Sequence, residues 1–238
     1  MMVVDKLDPG KPFALVLTGD GPDERRVLVG LAPSFDDDKQ LFFPPPQGRT
    51  GFTALNALRE YAKPELMRLG RLAVLFLIDK EHFRTDDLAG ELEAQLKARG
   101  MRIVEMDELS SAAFYIKAML GQKELNIYVT VLGHERRIEE NIAELLREMG
   151  YPTKPDKRCI RDKLRKVGTR RLEDFIRRAC EGSMSAVEKA FSSLIRALRE
   201  LDKALQADIS ASRSSRRTSS TSASSGPCGA SGSSCGTC

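Results

Sequence analysis

Asp79 and Glu81 flank Lys80 at the end of the apolar run Leu72–Ile78, and His82 follows at once (LAVLFLIDKEH). In an extended segment, residues two apart point the same way, so the two carboxylates can converge on one cation or one proton. Other polar groups close other apolar runs: Asp20 and Asp23 after Ala14–Thr18, Asp107 after Met101–Met106, His134 and Glu135 after Leu125–Leu132. Carboxylates packed on one rim raise one another's pKa unless a cation intervenes, and Mg²⁺ with oxygen ligands is the expected neutraliser. Such an ion orients and neutralises a phosphodiester during transfer or hydrolysis. Neither histidine stands in a spacing that signals zinc.

A second constellation is cationic. Residues 154–178 hold 11 basic and 4 acidic side chains, whereas residues 1–153 hold 20 basic and 25 acidic ones, an asymmetry hidden beneath an overall charge of +4. Within the basic segment, Lys157, Arg158, Arg161, Lys163, Arg165, Lys166, Arg170 and Arg171 are candidate ligands for nucleic-acid phosphates. They would bind by charge, with salt-sensitive affinity and little sequence preference. No aromatic platform for stacking single-stranded bases accompanies them. Arg49 joins the candidates, because Gln47-Gly48-Arg49-Thr50-Gly51 combines backbone donors, an arginine and a helix start, a combination suited to an anion. That loop lacks the Gly-Lys-Ser/Thr of a Walker motif.

Strands and helices must position these groups. Leu72–Ile78 has the length and composition of a strand covered on both faces. Further strands are expected at Ala14–Thr18, Leu41–Phe43, Met101–Met106 and Leu125–Leu132, the last nearer an edge because Asn126, Tyr128 and Thr130 alternate with apolar neighbours. Helices are expected over Asp23–Leu31, Phe52–Ala62, Pro64–Leu69, the segment from Asp86 to the capping Gly100, Ala112–Leu120 and Ile138–Met149. Strand and helix alternate, which predicts an α/β domain over residues 1–153, three-layered with a mostly parallel sheet. In such a sheet the crevice beyond the carboxyl ends of the strands is where ligands bind, and there the acids would collect.

Residues 154–209 read as a basic helical extension, with helices at Ile160–Val167, Arg170–Ala179 and Ser183–Ala207. In the last, Val187, Phe191, Leu194, Leu198, Leu201 and Leu205 form a seam suited to packing on the body, or alternatively to a helix-mediated homodimer. Residues 210–238 are Ser- and Cys-rich and lack a core-forming pattern, so a disordered tail is expected. An odd total of five cysteines argues against a disulfide framework, and Cys235-Gly236-Thr237-Cys238 with Cys228 lacks a fourth metal ligand. A chain 41% hydrophobic and 30% charged, without a long apolar run, reads as cytoplasmic and not membrane-bound.

The arrangement of VLTGDGPDERRVL and LFLIDKEHF resembles the topoisomerase-primase (TOPRIM) fold, especially its small stand-alone relatives, over roughly residues 13–150. The resemblance implies a Rossmann-like βαβαβαβ order, an acidic residue after the first strand, and an Asp-x-Asp pair holding Mg²⁺ after the third. Asp79 matches the first aspartate of that pair, and Glu81 replaces the second. The family's strand-one glutamate, thought to act as general acid or base, is not preserved; Asp20 is the nearest substitute and Asp23 aligns with an acidic position at the helix start. The resemblance thus implies metal ligation by Asp79 and Glu81, catalytic assistance by Asp20 and Asp23, and phosphoryl-transfer or nuclease-like chemistry on nucleic acid or a nucleotide phosphate. The contrasting expectation is a non-catalytic module that binds nucleic acid or assembles with protein. A dinucleotide enzyme is disfavoured, since GDGPDE stands where Gly-x-Gly-x-x-Gly would follow the first strand.

Overall fold

The computed structural model describes the backbone of residues 1–219, apart from Pro9, Asp20, Asp36, Asp37, 45–49 and Leu69, and side chains as far as Ser210. Asp20, Arg49 and the cysteine-containing stretch 220–238 therefore lie outside the described residues.

The run Arg71–Asp79 forms strand β4 at the centre of a seven-stranded sheet, and Val74 to Ile78 are fully buried there. The other strands are β1 (Met2–Val4), β2 (Phe13–Thr18), β3 (Gln40–Phe42), β5 (Met101–Ser110), β6 (Ala113–Leu120) and β7 (Lys123–Leu132). Their order is β1-β3-β2-β4-β7-β6-β5. Pairing is parallel from β1 to β7, with Leu15 opposite Val74 and Asp79 opposite Leu132, and antiparallel from β7 through β6 to β5. The fold is thus α/β with a mixed, mostly parallel sheet.

Alternation of side chains along the central strands sends half of them to each face. Leu15, Leu17, Val74, Phe76, Ile78 and Val129 pack beneath a 3₁₀ segment at Gly51–Ala57 and helices α2 (Leu58–Tyr61) and α3 (Leu88–Ala98). Asp87 starts α3 by accepting the Gly90 N–H at 2.9 Å, an ordinary N-cap contact. On the opposite face, Val16, Leu75, Leu77, Tyr128 and Leu132 meet α1 (Pro22–Leu31), α4 (Ile138–Glu148), α5 (Lys157–Lys166), α6 (Leu172–Gly182), α7 (Met184–Ala190) and α8 (Ser192–Ser219).

Five expectations are corrected. Residues 112–120 were expected to be helical but form β6, in which Phe114, Ile116 and Ala118 are buried at alternate positions, the period of a strand. Leu120 pairs with Lys123 across Gly121-Gln122, and Gly121 takes φ +64°, the geometry that a two-residue hairpin needs. Secondly, β7 is interior, not near an edge, because the β5–β6 hairpin adds two strands beyond it; Tyr128 and Thr130 are buried under the helical layer. The same hairpin removes Asp107 from the rim: it is exposed within β5, opposite Tyr115, two strands beyond β7.

The remaining two corrections concern the helices after residue 182. The segment Ser183–Ala207 is not one helix, since α7 and α8 are separated at Phe191, and α8 runs on to Ser219 through residues expected to be disordered. Its seam residues are buried within this chain, so α8 lies across the sheet. Polar ties hold it there, among them Lys39 with Asp202 at 2.7 Å, Arg71 with Asp208, and Ser110 Oγ with Ser193 Oγ at 3.3 Å. The basic helical segment accordingly supplies part of one of the two layers that cover the sheet, beside α1 and α4.

Candidate functional site

The parallel neighbours β2, β4 and β7 all deliver their carboxyl ends to one edge. Beyond β2 the chain enters α1 at Pro22, with Asp23 and Glu24 in the first turn. β4 ends at Asp79, and Glu81 follows two residues on; beyond β7 a loop leads into α4, whose first turn contains Glu139. Asp23, Glu24, Asp79, Glu81, Arg137, Glu139 and Lys157 line a cavity of about 190 Å³. Five carboxylates face two cations across it.

Contacts within the chain hold Asp79, Glu81, Asp23 and Glu139 in place. Asp79, 3% exposed, accepts the Ile138 N–H at 3.1 Å and so ties the end of β4 to the start of α4. Glu81 accepts from Arg137 Nε at 2.6 Å, and that bond with its charge holds the Arg137 pKa above its ordinary value. Asp23 accepts from Arg26 at 2.7 Å through one oxygen and lies 3.4 Å from Lys157 Nζ through the other. Lys157 Nζ also lies 3.2 Å from Glu139 Oε1. Burial lowers the Lys157 pKa, but hydrogen bonding and charge attraction to Glu139 and Asp23 outweigh it and the net direction is upward.

Glu139 and Glu24 each bury a carboxylate oxygen that has no hydrogen-bond partner among the described residues, Oε2 of the first and Oε1 of the second. Glu139 is 5% exposed. An acceptor left in this state costs free energy unless a proton or a cation meets it.

The loop that aims Arg137 and Glu139 is set by local chemistry. Gly133 has φ +82°, and a Cβ there would lie 2.4 Å from the Arg137 nitrogen, so only glycine fits. Its N–H donates to Asn141 Oδ1 at 2.6 Å, while Glu140 Oε2 accepts the N–H of Glu135 at 2.7 Å. Burial would raise the Glu140 pKa, yet the N–H groups of Glu135 and Arg136 hold it below the usual carboxylate value.

Beside the acidic cavity lies a cleft of about 1160 Å³ between α1, α4, α5 and α6, and the two share Pro22, Asp23, Glu139 and Lys157. Six cations line it: Arg26, Lys157, Arg161, Arg165, Arg170 and Arg171. On α5, Lys157, Arg161 and Arg165 recur every four residues, about 6 Å apart along the axis, and the buried Ile160 and Leu164 line the cleft beside them. Arg161, Arg170 and Arg171 have no ion pair or side-chain hydrogen bond among the described residues. The α1 and α6 walls meet closely at Gly30, where an added Cβ would come within 2.7 Å of Ile176.

Of the residues singled out in the sequence, the structure brings together Asp23, Asp79, Glu81, Lys157, Arg161, Arg165, Arg170 and Arg171. Arg158, Lys163 and Lys166 are not among the lining residues, because helical periodicity turns them from the cleft. Exposed His134 pairs with Glu144 at 2.6 Å instead of joining the cavity, and His82 packs against Gly51, where an added Cβ would lie 2.8 Å from Nδ1. Glu24, Arg137 and Glu139 were missed. Acids in a first helical turn signal only a favourable helix start, which concealed the first and third.

Among the described residues no three carboxylate, histidine or cysteine side chains are grouped closely enough to hold a metal as they stand, and no helix is long and apolar enough to cross a membrane. No family model, curated protein or solved structure matches the chain.

Proposed function

We propose that this protein performs Mg²⁺-dependent phosphoryl transfer or phosphodiester hydrolysis on a nucleic acid. The observation that carries the reading is the junction of an acidic cavity with a cationic cleft through Asp23, Glu139 and Lys157. A polyanion in the cleft would place a phosphodiester beside the carboxylates.

The residues fit a hard cation by donor chemistry. Every carboxylate at the cavity offers oxygen, and the buried Glu139 Oε2 is an acceptor without a donor among the described residues. Asp79, Glu139 and Glu24 would hold the ion, with Asp23 and Glu81 at the rim. When bound, the ion supplies charge neutralisation at the phosphate and activation of water. The chain's own contributions are distinct. Arg161, Arg170 and Arg171 grip phosphates through charge-assisted hydrogen bonds. The parallel strands β3-β2-β4-β7 and the acids after β2 and β4 support the TOPRIM-like reading; the β5–β6 hairpin is an addition to the strand-helix alternation which that reading implies.

The test measures cleavage of end-labelled single- and double-stranded DNA and RNA with Mg²⁺ or Mn²⁺, comparing the native chain with Asp79→Asn. Asparagine keeps the oxygen that accepts the Ile138 N–H, so the fold should persist while activity falls at least 100-fold. Full activity in this variant would defeat the assignment.

A second reading, a non-catalytic polyanion-binding module, is favoured by the partners already found on the carboxylates: Ile138 N–H on Asp79, Arg137 on Glu81, and Lys157 on Asp23 and Glu139. Equal nucleic-acid affinity in chelator and in Mg²⁺, with no product formed, would select it.

A further inference from the structure

Lys157 stands where two properties of the site meet. It opens α5 and begins the row of cations continued by Arg161 and Arg165, yet its ammonium is turned to the acids, 3.2 Å from Glu139 and 3.4 Å from Asp23. It is the only one of the six cleft cations that also lines the acidic cavity. Arg161, one turn along, has no partner among the described residues. The Lys157 side chain is 61% exposed, so it is free to leave without disturbing the core.

We propose that Lys157 is a resident counter-cation, displaced when a divalent ion enters the acidic cavity, and that the freed ammonium then becomes a phosphate ligand in the cleft. This rests on the metal-dependent reading above and adds to it an order of events: metal loading prepares the polyanion site. Two observations besides the acidic cluster support the exchange. Glu139 Oε2 is buried with no hydrogen-bond donor among the described residues, so one ammonium leaves the carboxylate half-satisfied. A divalent ion carries twice the charge of the ammonium that it would replace beside these acids. The second observation is the ammonium itself, a cation already bound between the two acids nearest the cleft.

The mechanism has a reciprocal consequence. If Lys157 competes with the metal, its removal must tighten metal binding; if it is released to the cleft, its removal must weaken polyanion binding only when metal is present. Simple charge repulsion without release predicts instead an equal loss of duplex affinity with and without metal.

The experiment uses the full chain, Lys157→Met, Lys157→Gln and the control Arg161→Met, each checked for folding by its thermal unfolding midpoint. Calorimetry with Mn²⁺ alone reads metal affinity. Fluorescence anisotropy with a short labelled DNA duplex reads polyanion affinity in chelator and in saturating Mn²⁺. Loss of two partly exposed ion pairs should tighten Mn²⁺ binding about fivefold in both Lys157 variants, against less than about twofold for Arg161→Met. The duplex affinity of Lys157→Met should equal that of the native chain in chelator and fall about fivefold below it in Mn²⁺.

Native-like Mn²⁺ affinity in the Lys157 variants, or the same gain in Arg161→Met, overturns the displacement. An equal loss of duplex affinity with and without metal overturns the hand-over to phosphate. If native and variant chains bind duplex but none binds Mn²⁺, the metal-dependent reading itself fails and the exchange falls with it, an outcome distinct from metal binding that ignores Lys157.

Discussion

The cationic cleft makes a quantitative prediction about salt. Each phosphate of a DNA duplex that a protein neutralises contributes about −0.9 to the slope of log K against log salt. Arg161, Arg170 and Arg171 line the cleft without an ion pair among the described residues, so they can meet phosphates with no internal partner to give up. These three set a lower bound: a slope of about −2.7, or roughly fortyfold weaker binding between 50 and 200 mM salt. If Arg26, Lys157 and Arg165 exchange Asp23, Glu139 and Asp162 for phosphates, the slope steepens to about −5.4. Fluorescence anisotropy with a labelled duplex over a salt series measures it directly. Arg161→Ala should flatten the slope by about 0.9 and weaken binding similarly for all sequences, because backbone contacts read no bases. A native slope near zero, or an unchanged slope after losing all three arginines, would refute the cleft as the polyanion site.

Further predictions concern the frame that holds the site. Leu198→Ala in α8 removes a fully buried side chain from the helical layer and should cost about 3 kcal/mol, measured as a lowered urea midpoint; a change under about 0.5 kcal/mol would show that α8 is not part of the core. Asp202→Ala takes a carboxylate from buried Lys39, which is 1% exposed, and should destabilise by about 2–3 kcal/mol by the same assay. The lowered Glu140 pKa stabilises the fold above the carboxyl's unfolded value, and this contribution disappears as pH falls through the folded value. Glu140→Gln should accordingly make the urea midpoint less sensitive to pH between neutrality and strongly acid solution, whereas an unchanged pH profile would contradict the assigned hydrogen bonds.

The legible parts of this chain were those written in local patterns. Apolar composition marked β4 as a central strand, Asp87 and Gly100 bracketed α3, and the charge change near residue 154 marked the α5–α6 cations. The error at β6 was also local. Its alternation was readable, but Ala, Lys, Met and Leu favour helices, and pairing with β5 and β7 overrode that propensity.

The site followed the same division. Side-chain chemistry alone placed Asp79 and Glu81 at a strand end and gave the basic segment its affinity for anions. The sequence by itself therefore determined an α/β protein with carboxylates beyond a buried strand and a cationic helical segment. Tertiary structure decided what those groups face. Strand order set β2 beside β4 and β4 beside β7, which brought Glu24 and Glu139 to Asp79 and sent Asp107 away. The folding of α5 and α6 over the sheet carried the cations to the acids and placed Lys157 between them. The reason is physical: composition and period act over a few residues, whereas proximity between residues 23, 79, 139 and 157 exists only once non-local strand pairing and burial have chosen one packing of the layers.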